Sequence, residues 1–129
     1  MRLALILLLL GCGGAKPAPR PPVVDTAAIA AELDAQLGEV ATIVHTRRND
    51  CPRLASELRG VFARMKVTIE RAREIQKDPT LAKQLTTDMR AYDEVTAKRV
   101  DSISEDFTVD TTCARDPDVR DALQSMPTL

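Results

Sequence analysis

Apolar residues recur with helical spacing in the part of the chain that follows Asp25. The first stripe rises in steps of four, four, three and four residues: Ile29, Leu33, Leu37, Val40 and Val44. This spacing places the stripe on one face of an α-helix. Asp25 or Thr26 can cap its first turn, because both side chains accept hydrogen bonds from backbone N–H groups. The pattern predicts a helix over residues 26–46.

Two longer stripes and one short stripe follow. The second comprises Leu54, Leu58, Val61, Met65, Ile69, Ala72 and either Ile75 or Gln76. The third comprises Leu81, Leu85, Met89, Tyr92, Val95, Val100 and Ile103. The fourth comprises Val119, Leu123 and Met126. We expect helices over about Pro52–Lys77 and Pro79–Asp106, and a short fourth helix that Pro127 ends.

A proline marks the start of each of these three helices, in the pairs Cys51-Pro52, Asp78-Pro79 and Asp116-Pro117. Proline is tolerated at the first helical position because its missing N–H would have no partner there. It also disfavours the helical conformation of the residue before it. Periodicity and prolines together predict an all-α fold, a small antiparallel bundle of three long helices and a short fourth.

Composition and charge limit the kinds of core and of binding partner that we expect. The chain of 129 residues has no Trp, one Tyr and two Phe, and its formal net charge is −1. The core must therefore be built from aliphatic side chains and methionine. Aromatic platforms on which bases stack are essentially absent, so we expect no nucleic-acid partner.

An apolar run at the N-terminus is typical of an export signal. Arg2 precedes the run Leu3–Leu10, which is far shorter than the roughly 20 residues that a membrane-spanning helix needs. Gly11 and Cys12 follow it. The stretch resembles the lipobox of bacterial lipoprotein precursors, in which a small residue precedes the cysteine that is lipidated. The alternative is a plain secretory signal whose cleavage site lies beside a cysteine.

The resemblance implies how the mature chain is held. Residues 1–11 would be removed, and Cys12 would carry a diacylglyceryl group on sulfur and a fatty-acyl chain such as palmitate on nitrogen, which anchors it in a membrane of the cell envelope. Gly13 is not an acidic retention signal, which favours the outer membrane over the inner one. Residues 12–24 then form a proline-rich tether with a reach of roughly 30 Å, and residues 25–129 form the bundle.

Once Cys12 is lipidated, Cys51 and Cys113 are left as one possible pair. Exported proteins meet an oxidising compartment, where such pairs form disulfides. The second and third predicted helices have similar lengths, so an antiparallel hairpin returns the chain close to Cys51 just before Cys113. A structural disulfide is the prediction. A redox-active pair and a metal site are the alternatives, although neither a CxxC spacing nor a cluster of ligands supports them.

The same layout places the tether and the disulfide at opposite ends, so we expect the disulfide end to face away from the membrane. That end gathers His45, Arg47 and Arg48, with Asn49 and the loop 107–112, as a possible partner surface. The alternative is a solvated cluster of loops.

Charge patterning offers a second possible surface. Basic residues recur on the second predicted helix: Arg59, Lys66, Arg73, Arg64 and Arg71. The C-terminal part is acidic. A basic stripe could meet anionic polymers or lipid headgroups, and the alternative is that opposite charges help neighbouring helices pack.

The sequence contains few of the motifs that mark catalytic or cofactor-binding sites. The chain lacks the CxxCH, HExxH, GxxxxGK[ST], GxGxxG and GxSxG motifs, and His45 is its single histidine. We therefore expect no enzyme, no catalytic residue, no cofactor and no metal. The leading hypothesis is a membrane-anchored, non-enzymatic helical interaction or structural module that docks an envelope protein or polymer. The alternative is a carrier of a small ligand or cofactor, such as haem held between His45 and Met65 or Met89.

Overall fold

A computed structural model describes Gly14, residues 23–109 and residues 112–128. Five α-helices account for most of these residues: α1 Thr26–Arg47, α2 Cys51–Gln76, α3 Pro79–Arg90, α4 Asp93–Val109 and α5 Pro117–Gln124. A 3-10 turn, Thr112–Arg115, joins α4 to α5. No strand occurs in the described part of the chain. The all-α prediction is confirmed, with one difference in the third helix.

Aspartates cap four of the five helices. The carboxylates of Asp25, Asp50, Asp78 and Asp116 each accept a hydrogen bond from a backbone N–H in the first turn of the helix that follows. Asp50 accepts from the N–H of Arg53 at 3.2 Å, so α2 begins at Cys51, one residue earlier than predicted.

The predicted third helix is divided into α3 and α4 by a turn at Ala91 and Tyr92. There the N–H groups of Ala91 and Tyr92 bond to the carbonyls three residues back, at 3.3 and 3.0 Å, instead of four. The break redirects the apolar stripe. Val95 and Val100, predicted to lie on the buried face, are 42% and 48% exposed.

Polar contacts across α1 and α2 show that the two helices are antiparallel. The contacts join residues whose numbers rise along α1 and fall along α2: Glu32 with Arg71, Gln36 with Thr68, Glu39 with Arg64 and Arg47 with Glu57. The arms α3 and α4 run parallel to α1 instead, through Thr26 with Asp88, Asp34 with Arg99 and His45 with Asp106.

The helix α5 lies along α2 and runs in the same direction. Arg59 on α2 pairs with Asp118 and Asp121 at 3.2 and 3.0 Å. Further along α2, Arg73 donates a 2.6 Å hydrogen bond to the carbonyl of Thr128. The C-terminal segment therefore follows α2 from the disulfide end toward the turn between α2 and α3.

The core has two parts. The larger joins α1, α2 and α5 with the 3-10 turn: Val40, Ile43, Val44, Leu54, Ala55, Leu58, Val61, Phe62, Met65, Ile69, Cys113, Val119 and Ala122. The smaller joins the start of α1, the end of α2 and α3: Ile29, Ala30, Ala72, Ile75 and Leu85. The start of α1 therefore lies beside the turn between α2 and α3, as the sequence predicted.

The Cys51–Cys113 disulfide is confirmed, with the two Cα atoms 5.2 Å apart. It joins the first residue of α2 to the 3-10 turn, and Cys113 is fully buried. No helix among the described residues is both long and apolar enough to cross a bilayer. The apolar run Leu3–Leu10 and the proposed lipidation site Cys12 lie outside the described residues.

Candidate functional site

The three residues nominated at the disulfide end do come together there. The Nδ1 atom of His45 lies 3.2 Å from both carboxylate oxygens of Asp106, and Nη1 of Arg48 lies 3.2 Å from the same ring atom. Arg47 donates from Nε to both oxygens of Glu57, at 3.2 and 3.1 Å. Each residue is therefore engaged within the molecule.

These contacts fasten helix ends to one another. The hydrogen bond to Glu57 raises the pKa of the Arg47 guanidinium above its ordinary value. The contact of His45 with Asp106 ties α1 to α4, and that of Arg47 with Glu57 ties α1 to α2. The positive charge available to an outside partner is reduced accordingly.

The basic residues of α2 are also largely paired. Hydrogen bonds to Asp121 and then to Asp118 raise the pKa of Arg59 above its ordinary value. Arg64 and Arg71 pair with Glu39 and Glu32 of α1. The opposite charges noted in the sequence thus join neighbouring helices, which is the alternative raised above.

A half-open cleft of about 400 Å³ lies on one flank of the bundle, and we call it the methionine cleft. Its lining comprises Ala30, Leu33, Asp34, Leu37, Met65, Ile69, Met89, Tyr92, Asp93, Thr96, Met126, Pro127 and Thr128. The volume lies within the range of small-molecule sites, about 300–1,000 Å³.

The cleft lies between α4 and α5, which stand apart on the surface of the bundle. The arm α4 packs on α1, and α5 packs on α2. Between them the apolar side chains of α1 and α2 form an uncovered floor. The turn at Ala91 and Tyr92 lies at one corner, where Tyr92 lines the cleft. It joins α3, which packs on both α1 and α2, to α4, which packs mainly on α1.

The lining concentrates residues that are rare in this chain. Met65, Met89 and Met126 are the three methionines of residues 23–128, and Tyr92 is the chain's single tyrosine. Methionine is flexible and polarisable, and it is common at adaptable binding surfaces. Sequence reasoning assigned these residues to buried stripes and missed the cleft. Their shared rarity was the signal that could have found it.

Arg99 fixes the wall that α4 provides. Its guanidinium pairs with the carboxylate of Asp34 and donates to the backbone carbonyl of the same residue at 2.7 Å. Gly38 leaves room for it, since a Cβ there would lie 3.1 Å from Cζ of Arg99. This contact sets the position of α4 relative to α1 beside the cleft.

The described residues offer few candidate ligands for a metal ion or a haem. In residues 23–109 and 112–128, with Gly14, no three His, Cys, Asp or Glu side chains group so as to hold a metal ion. Met65 and Met89 line the methionine cleft, whereas His45 lies at the disulfide end against Asp106. The His and Met ligands considered for haem are therefore not brought together.

Comparison of the chain with protein-family models, with curated proteins and with solved structures found no match.

Proposed function

We propose that this chain is a membrane-anchored lipoprotein of a bacterial envelope whose helical bundle is a non-enzymatic binding module, with the methionine cleft as its binding surface. The observation that carries the proposal is the cleft itself, an apolar hollow of about 400 Å³ left open between α4 and the C-terminal segment. Its floor is formed by apolar side chains of α1 and α2. Binding of a small ligand is the role that such a cleft supports best.

The anchoring part of the proposal rests on residues 1–12. Lipidation of Cys12, removal of residues 1–11 and location in the outer membrane are supported by the apolar run, by Gly11 and by the residue that follows the cysteine. More than one acyl chain is needed for stable attachment. In this arrangement the tether joins the start of α1, and the disulfide end faces away from the membrane.

Mass spectrometry of protein purified unreduced from native membranes tests both parts. The expected result is an N-terminal peptide that begins at Cys12 and carries acyl chains, together with a small molecule retained by the intact protein. An unmodified N-terminal peptide would refute the anchor, and a ligand-free protein that also failed to bind added apolar compounds would refute the binding role.

Docking of an envelope protein or polymer at the disulfide end is the second proposal. It is supported by His45, whose side chain is 62% exposed although it contacts Asp106. A photo-crosslinking residue at position 45 should then capture the same partner reproducibly, whereas one at Val67, which is 58% exposed on α2, should not. Equal capture at both positions would refute this second role.

A further inference from the structure

We infer that the ligand of the methionine cleft is a small amphiphile with an apolar body and a cationic head. The inference rests on the proposed function, because it names the ligand class of the same cleft. Its two halves follow from two different sides of the lining.

The apolar body is expected from the floor and from one wall. The floor is formed by Leu33 and Leu37 of α1 with Met65 and Ile69 of α2. The segment 126–128 after α5 extends this surface, and Arg73 holds it in place through the carbonyl at its end. These side chains offer an acyl or alkyl body an apolar surface to which methionine can adapt.

The cationic head is expected from the opposite wall. The charged residues that line the cleft are Asp34 and Asp93, and both are acidic. Asp34 is already paired with Arg99. Asp93 is exposed and forms no ion pair with the residues that the structure describes. Asp93 therefore has no cationic side chain paired with it among these residues, and only the N-terminus of α4, in whose first turn it lies, offsets part of its charge. Its carboxylate favours a positive group on the ligand.

Tyr92 adds a second cation-binding feature beside that carboxylate. It precedes Asp93 in the chain, is half-buried and lines the same cleft. The face of an aromatic ring attracts a cation by about 0.5–1 kcal/mol at exposed sites. Tyr92 and Asp93 line the same cleft, and an aromatic ring together with a carboxylate favours an ammonium group over a carboxylate.

The size of the cleft favours a small molecule over a helix of a partner protein. Its volume of about 400 Å³ lies near the lower end of the range for small-molecule sites. A docked helix would instead need a long groove with several anchoring positions along it. Here α3 and the C-terminal segment bound the hollow.

Three probes with one alkyl chain separate the contributions of body and head. We would titrate the three probes into the full chain carrying Cys12→Ser with its disulfide formed. Decyltrimethylammonium and decanoate are kept below their micelle concentrations, and decanol is kept below its solubility limit. Methionine methyl NMR reports the site, since Met65, Met89 and Met126 all line the cleft. The full chain has a fourth methionine, Met1, so the signals are first assigned by substitution. We expect those of Met65, Met89 and Met126 to shift, with affinity falling from the ammonium to the alcohol to the carboxylate.

A pair of variants tests the proposed carboxylate. Asp93→Asn should weaken binding of decyltrimethylammonium by about two- to fivefold and leave decanol unaffected. The control is Glu94→Gln, which removes the neighbouring exposed carboxylate, one that pairs with Lys98 and does not line the cleft. It should leave all three affinities unchanged.

The possible results test the cationic head of the ligand separately from the proposed binding role of the cleft. If decanol or decanoate bound as tightly as decyltrimethylammonium, or if both variants had the same effect, the cationic head would be refuted while the binding role survived. If no probe shifted the three methionine signals, both would fall. The lipid anchor is tested separately at Cys12.

Discussion

The side-chain amide of Gln36 on α1 donates a 2.9 Å hydrogen bond to the hydroxyl of Thr68 on α2. Both side chains are buried, at 8% and 1% exposure. The hydroxyl donates in turn to Glu32 at 2.9 Å, and Glu32 pairs with Arg71. A chain of polar contacts therefore crosses the interface between α1 and α2. It fixes the register of the two helices, because sliding either helix would leave buried polar groups without partners.

Thr68→Val should destabilise the bundle. The substitution keeps the shape of the side chain and removes the hydroxyl that accepts from Gln36, whose Oε1 already lacks a partner among the described residues. Leaving the amide unsatisfied should lower the free energy of unfolding by about 1–3 kcal/mol. Urea denaturation followed by circular dichroism measures the change.

Thr42→Val is the matched control, because that exposed hydroxyl donates to the carbonyl of Gly38 in its own helix and to no other group that the structure describes. Its free energy of unfolding should change by less than about 0.5 kcal/mol. The double variant Gln36→Leu with Thr68→Val should recover stability relative to Thr68→Val alone, since it removes both partners. Equal losses for Thr42→Val and Thr68→Val would contradict the argument.

The two glycines in described helices, Gly38 and Gly60, should respond differently to alanine. Gly60→Ala places its Cβ no closer than 3.9 Å to Arg64, so the helix should gain about 0.5–1 kcal/mol in unfolding free energy. Gly38→Ala should gain less or lose stability, because its Cβ would press on the guanidinium of Arg99. Thermal denaturation of the two variants decides it, and an equal gain for both would show that Arg99 moves freely.

Loss of the disulfide should cost much of the stability. The bond joins residues 62 positions apart, which corresponds to about 4 kcal/mol in the chain-entropy account. Cys51→Ala with Cys113→Ala, made in a Cys12→Ser background, should therefore shift the urea midpoint strongly downward. The same shift on adding reductant to the Cys12→Ser protein is the control. An unchanged midpoint in both experiments would mean that the bond contributes little.

The cap at Asp78 offers a test of the turn between α2 and α3. Its carboxylate accepts from the N–H groups of Thr80 and Leu81 at 2.9 and 3.1 Å. Asp78→Ala should reduce the free energy of unfolding by about 1 kcal/mol, whereas Asp78→Asn should retain most of it. Hydrogen exchange should show the loss of protection first in α3. Similar stability of the two variants would indicate that Pro79 alone starts the helix.

The helix starts could be predicted because they depend on local rules, and the disulfide because two cysteines remain after Cys12. Proline placement and aspartate caps act within a few residues, and matched helical arms bring Cys51 and Cys113 together. The break at Ala91 and Tyr92 could not be predicted, because neither residue disfavours a helix. At this break the packing changes, because α3 packs on α1 and α2 whereas α4 packs on α1. Such tertiary packing cannot be read from a local sequence pattern.

The candidate site was hidden for a related reason. Met65 and Met89 fall on regular apolar stripes, so their spacing reads as core. Whether a stripe is covered depends on how far α4 and α5 stand apart. The charges at the disulfide end were visible in the sequence, but Arg47 and His45 find their acceptors on other helices, 10 and 61 residues away.

All three methionines of the described bundle line the cleft, which makes its lining sensitive to oxidation in a way that leucine side chains would not be. Oxidants convert each thioether to a polar sulfoxide. Met126, 45% exposed, would react well before Met65, which is 5% exposed. Oxidation would therefore begin at Met126 and make that part of the lining hydrophilic while the buried core stayed intact, so the proposed binding surface would be lost before the fold.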